Sequence, residues 1–248
     1  MPRANNHNLP GHCPAIPHAQ IHTQRNAYRY PAVALLGAPG NLTHTNFNST
    51  RDLDSHFHRL LRSHNENDKL LGYLGIIYWG HYSGAAGGIT RERAMSKALL
   101  AYNGQTRTGH MRSVSDVDIG LGTAAEWIDD AAASIAQNAY GYAVRTLANL
   151  PGIGFAFATK ICAFLDPERC GVADSVIADS HPGFGFELDA GQNIKNTVCN
   201  RAKYDQYCVC LQDMARGLNA AQAPYSNWTD RDGTPQRWRA LDVERALY

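Results

Sequence analysis

The sequence predicts an all-α protein. From residue 48 onward, apolar residues recur at helical spacing in one segment after another. Capping residues or prolines stand where several of these segments begin, and glycines or prolines where several stop. Strand-like runs are scarce: PAVALL, at 31–36, is the one early stretch apolar enough for a short strand or a buried loop.

Residues 1–47 are rich in Pro, Asn, His and Gly and read as an irregular extension that either wraps the body or hangs free of it. Asn48, Ser49 or Thr50 can then cap a helix whose Leu53, Phe57, Leu60 and Leu61 share one face. A second helix starts near Asn67 or Asp68. Its Leu70, Leu71, Leu74, Ile77 and Tyr78 give an apolar surface broad enough for near-complete burial. It stops in WGHYSGAAGG (79–88), where four glycines break it. A third spans about 90–103. Residues 103–122 show no periodicity and carry Arg107 and Arg112; a loop of that length is usually functional or disordered. Thr123 with Glu126 forms a capping box for a helix that turns Trp127, Ala131 and Ile135 inward. Residues 138–149 continue as helix, and 193–219 form one or two more. The last helix opens at Thr234-Pro235 and holds Trp238, Leu241 and Leu247.

Composition narrows the partners. Lys+Arg is 23 against 22 Asp+Glu, a formal charge of +1, which excludes a blanket polycation but not a local basic patch. No run of about 18 apolar residues exists, so no membrane-spanning helix is expected. The N-terminal MPRANNHNLPGHCP has no apolar stretch, unlike a signal peptide, so a cytoplasmic location is expected; a monomer is expected beside it. In that setting the six cysteines are expected as thiols. Cys199, Cys208 and Cys210 are spaced C-x8-C-x-C, which fits no common zinc pattern, so no metal site is expected.

The informative stretch is LANLPGIGFAFATKICAFLDPERCGVADSVIADS, residues 147–180. Leu150-Pro151-Gly152-Ile153-Gly154 lies between two helical patterns. Proline ends the first, and the glycines permit a tight hairpin. The next helix runs from near Gly154 to about Leu165. Its opening amides lack intrahelical partners and, with the helix dipole, suit a phosphate oxygen. Oriented amides carry no formal charge, which is how a chain of charge +1 can hold DNA. A plain turn between core helices is the blander reading of the same residues. Asp174, before Ser175-Val176-Ile177, is first of all a helix N-cap.

LPGIG, the amphipathic helix after it and the Val172-x-Asp174 motif together resemble the helix–hairpin–helix DNA glycosylase superfamily. The likeness covers about 34 of the 248 residues. YWGHYSG and the C-terminal WRALDVERALY are similar, more loosely, to prokaryotic proteins of the 8-oxoguanine glycosylase fold, some of which look like antiviral enzymes. The resemblance implies a two-lobed helical fold with a base cleft between lobes: residues 48–105 with 190–248 in one, 106–189 in the other. In the family pattern the residue two places after the hairpin's second glycine decides the mechanism, and a catalytic aspartate comes about eighteen residues later. Here those positions are Ala156 and Asp174. Bifunctional members carry lysine at the first, which attacks the sugar and forms a Schiff base. Alanine cannot, so the resemblance implies a monofunctional glycosylase.

Under this resemblance the substrate is duplex DNA with a damaged base or a hypermodified phage base such as glucosylated hydroxymethylcytosine. The base is extruded, and Asp174 stabilises the oxocarbenium-like sugar and assists water. That role is compatible with capping, because a helix N-terminus favours an anion. Lys160, one turn beyond Ala156, is a substitute nucleophile, a phosphate contact or a residue at the helix edge. Leu150, Gly152, Ile153, Gly154 and Phe155 with Arg107 and Arg112 would grip the strand. Trp79, Tyr82, Phe184 and Trp228 are candidates to stack on the extruded base, although buried aromatics more often only pack. The cysteine run of endonuclease III is absent, so no iron–sulfur cluster is expected. Catalysis requires no cofactor, and a structural cation at the hairpin carbonyls is the one ion the family pattern admits. A non-enzymatic helix–hairpin–helix phosphate clamp is the competing function.

Overall fold

A computed structural model describes residues 13–38, 40–82, 91–103, 105–106, 109–110 and 120–248, and the fold is predominantly helical. In chain order the elements are α1 (His18–Ala27), β1 (Val33–Leu36), β2 (Thr43–Asn46), α2 (Thr50–Leu61), α3 (Glu66–His81) and α4 (Arg91–Asn103). Then come β3 (Gln105–Thr106), β4 (Gly109–His110), α5 (Gly120–Ala136), α6 (Tyr140–Leu147), α7 (Phe155–Leu165) and α8 (Ser175–Ser180). A 3-10 turn at Pro182–Phe184 precedes α9 (Val198–Ala220), β5 (Trp228–Thr229), β6 (Pro235–Gln236) and α10 (Ala240–Leu247). Each described strand belongs to a two-stranded antiparallel pair, β1 with β2, β3 with β4 and β5 with β6.

The core helix α3 is buried on almost every side and packs against α2, α4, α5, α7 and β1, as its broad apolar surface predicts. Ser49 caps α2 by accepting Asp52 N–H at 3.0 Å. Leu53, Phe57, Leu60 and Leu61 are all buried. α6 packs on α5, α7 and α9, and α10 on α1 and α9.

Four expectations are corrected. Residues 18–47 are not irregular: α1 and the β1–β2 hairpin occupy much of them, and Ile21, Arg25, Val33, Ala34 and Leu35 are buried. α5 opens at Gly120, so Thr123 lies inside the helix instead of capping it. The last helix starts at Ala240, because Pro235 pairs in β6 and the Asp242 carboxylate reaches back to the Arg239 amide at 3.1 Å, an acid closing the first turn. Finally, Cys13 and Cys210 form a disulfide that ties the N-terminal segment to α9 across a sequence separation of 197, so not all six cysteines are thiols. No helix among the described residues is long and apolar enough to cross a membrane.

α1, α2 and α10 meet in a buried ion cluster. The Asp54 carboxylate takes both nitrogens of the Arg245 fork, at 2.9 and 2.5 Å, and a further bond from Arg239. Asp242 lies 3.1 Å from Arg51 and 3.6 Å from Arg25. Burial alone would raise the Asp242 carboxyl, but Arg239, Arg51 and Arg25 outweigh it and hold it well below the usual carboxylate range. The Arg25 guanidinium also stacks 3.5 Å from the centre of the Trp228 ring.

Candidate active site

The hairpin forms where the sequence places it. Gly152 has φ +69°, a left-handed conformation that glycine adopts without strain, and Ile153 N–H bonds Leu150 O at 3.2 Å. Leu150, Ile153 and Phe155 are core side chains, so only backbone at the exposed Gly152 and Gly154 faces outward. No side chain caps α7 at Gly154. The Tyr73 hydroxyl donates to Pro151 O. The described residues hold no cluster of three or more His, Cys, Asp or Glu side chains able to bind a metal. Arg107 and Arg112 lie outside the described residues.

Asp174 is the N-cap of α8. Its Oδ1 accepts the Val176 amide at 3.1 Å and the Ile177 amide at 3.4 Å. The segment before it belongs to no helix or strand, yet three successive carbonyls are each held by a hydroxyl. Tyr204 on α9 donates to Gly171 O at 2.9 Å, and Tyr207, one turn on, to Val172 O at 3.0 Å. Thr159 on α7 shares its proton between Ala156 O at 2.9 Å and Ala173 O at 3.2 Å, and accepts the Ala173 amide at 3.0 Å.

Lys160 comes from the same helix as Thr159. Its Nζ lies 3.2 Å from Asp174 Oδ2, with both side chains largely buried. The helix-edge reading of Lys160 is therefore set aside. Both residues line a small cavity of about 50 Å³, together with Glu244 of α10 and the rings of Tyr28, Tyr30, Trp79 and Tyr248. Ala156 is not among the residues that line it. The cavity has room for water but not for a nucleobase. Tyr28, Tyr30 and Tyr248 also line a groove of about 920 Å³, where Gln20, Gln24 and His181 add polar edges. That volume falls within the range of small-molecule sites.

The three tyrosines and Trp79 form an edge-to-face cluster: Tyr30 lies 5.1 Å from Trp79 and 6.2 Å from Tyr248, and Tyr28 lies 6.3 Å from Tyr248. Tyr30 Oη donates to Trp79 O at 3.0 Å, and the Trp79 indole donates to Pro31 O at 3.0 Å. Burial first, then Asp174 and Glu244, pushes the Tyr248 hydroxyl up to about 12, so it stays a neutral donor.

Of the four aromatic candidates, Trp79 alone reaches the cavity, and from within α3, not from a glycine-flanked loop. Tyr82 stacks on His44 at 5.5 Å. Phe184 is buried edge-on to Tyr207 at 4.7 Å. Trp228 lies under Arg25 in the core beside Trp238. Sequence reasoning misses Tyr28, Tyr30, Tyr248 and Glu244. The two early tyrosines stand in a segment without periodicity, and WRALDVERALY points to the right helix without singling out its acid.

No family model, curated protein or solved structure matches this chain.

Proposed function

We propose that the chain is a monofunctional DNA glycosylase acting as a monomer on duplex DNA that carries a damaged or hypermodified base. The observation that carries this reading is the placement of Asp174. A carboxylate positioned by hydroxyls on two helices faces a water-sized cavity, and that cavity shares an aromatic wall with a groove large enough for a base. In this reading the hairpin amides at Gly152 and Gly154 hold a phosphate, and the base swings into the groove against Tyr28, Tyr30 and Tyr248. The sugar's C1′ is presented to Asp174. As the N-glycosidic bond lengthens, the carboxylate stabilises positive charge on the sugar and takes a proton from water in the cavity.

The test is to incubate the protein with duplexes carrying an oxidised purine, an alkylated purine, a mismatched adenine or glucosylated hydroxymethylcytosine, and to identify free base by mass spectrometry. Release from one of them, abolished by Asp174→Asn with DNA affinity within a few-fold, supports the proposal. DNA binding with no base released from any duplex points instead to a phosphate clamp.

A second reading is favoured by one contact. The Lys160 amine lies 3.2 Å from Asp174 and lines the same cavity, which Ala156 does not, and this supports Lys160 as a substitute nucleophile. A glycosylase/lyase using Lys160 would leave a covalent protein–DNA adduct after borohydride reduction, and Lys160→Ala would lose it.

A further inference from the structure

We propose that Glu244 is a second acid–base residue of this site, a carboxyl that supplies, through water in the cavity, the proton leaving with the excised base while Asp174 takes the proton of the attacking water. The inference deepens the glycosylase reading and rests on it.

Placement comes first. The neighbouring acid and base on α10, Asp242 and Arg245, point into the buried ion cluster. Glu244 alone of the three faces the cavity that Asp174 and Lys160 line. It is 3% exposed. Asp54, Asp230 and Asp242 are also buried, and each accepts several hydrogen bonds. No hydrogen bond joins the Glu244 carboxyl to any described residue. Its carboxyl opens on the cavity, so water there is the partner within its reach. The backbone makes room for it: a Cβ at Gly171 would lie 2.9 Å from the Glu244 Cβ and 3.2 Å from its Cγ. The residue that brings α10 against the Asp174 segment is thus a glycine.

The charges around it agree with a neutral acid. Asp174 faces it with like charge, and Lys160, Arg25 and its neighbour Arg245 with opposite charge; Tyr28, Tyr207 and Tyr248 contribute neutral hydroxyls. Burial first and Asp174 second raise Glu244 to about 8, outweighing the three cations. A carboxyl held protonated beside a second carboxyl is the arrangement an acid and a base require.

The step balances without an oxidant or reductant. The C1′–N bond breaks and its electron pair goes to the base nitrogen, which takes a proton from a cavity water that is itself reprotonated by Glu244. Water oxygen bonds C1′, its proton passes to Asp174, and that proton then returns to Glu244. Free base and an abasic sugar result.

The test uses whichever of the four duplexes above the wild type cleaves, under single-turnover conditions from pH 5 to 9. Wild-type release is expected to decline above about pH 8. Glu244→Gln is expected to slow release roughly 10²–10⁴-fold at pH 7 and to lose that decline. Affinity for an unmodified duplex should stay within a few-fold. Glu244→Asp keeps a carboxyl and should retain part of the rate. Release by Glu244→Gln within about five-fold of wild type, with the same pH profile, overturns the role of Glu244 and leaves Asp174 untouched. A wild type that releases no base from any duplex overturns the underlying glycosylase reading and this inference with it.

Discussion

The Lys160 amine lies 3.2 Å from the Asp174 carboxylate, although the two residues sit on different elements, separated by the loop at 166–173. An amine paired this way steadies the acid, and a charge-assisted bond of about 1.5–3 kcal/mol corresponds to roughly 10–100-fold in rate if it is felt in the transition state. Lys160→Ala is therefore expected to slow base release by roughly that factor while leaving the DNA strand uncut. Borohydride added during turnover should trap no adduct with the wild type. A trapped adduct would move the chain to the lyase mechanism.

Thr159 is the next point of leverage. Thr159→Val removes the hydroxyl that serves both the carbonyl and the amide of Ala173, and leaves two buried backbone groups without it. The expected loss is roughly 1–3 kcal/mol of stability, measured by urea unfolding. Because Asp174 is the next residue, kcat should fall more than KM rises.

Asp54 anchors the ion cluster from α2. Asp54→Ala leaves the Arg239 and Arg245 guanidiniums buried without their shared acceptor, and should cost roughly 3–5 kcal/mol. Acid should act on the same cluster. Asp242 is held below the usual range, so its contribution is complete above the ordinary aspartate pKa near 4 and drains away as pH falls below it. Thermal unfolding from pH 7 down to 2 reads this, and a flat profile would contradict it.

Glu244 has the opposite sign. The unfolded chain ionises it near 4.5 and the folded chain near 8, so between those values the folded state holds the extra proton. Stability must then fall as pH rises through that window, by up to about 1.4 kcal/mol per pH unit. Glu244→Gln cannot ionise and escapes the penalty. The melting temperature of the variant relative to wild type should climb from pH 5 to 8 and level off above it. A constant difference would show that the carboxyl is solvated.

How far the sequence can be read depends on what each element reveals locally. Leu53, Phe57, Leu60 and Leu61 announce α2, and the apolar breadth of α3 announces its burial, because periodicity is a local property. The Gly152 turn, the α7 span and the Asp174 cap are legible for the same reason. α1 is not: it buries Ile21 and an arginine whose charge is met by Asp242, so its inward face carries no apolar stripe. The start of α10 misleads because Thr234-Pro235 has the chemistry of a helix cap but is recruited into a strand pair. Cys13 and Cys210, or Asp174 and Glu244, become neighbours only through tertiary packing, which no local pattern encodes.

The hydroxyl clasps on Gly171, Val172 and Ala173 come from α7 and α9, not from α8. The acid therefore behaves as a fitting bolted to the frame from behind, while the groove in front is furnished by α1, the loop after it, the C-terminal end of α8 and the far end of α10. Under the proposed glycosylase reading, preference for one base or another can drift through those frontal residues without disturbing the part that would break the bond. Enlarging or relining the groove at Gln20, Gln24 or His181 is thus a route to new substrates that spares the chemistry.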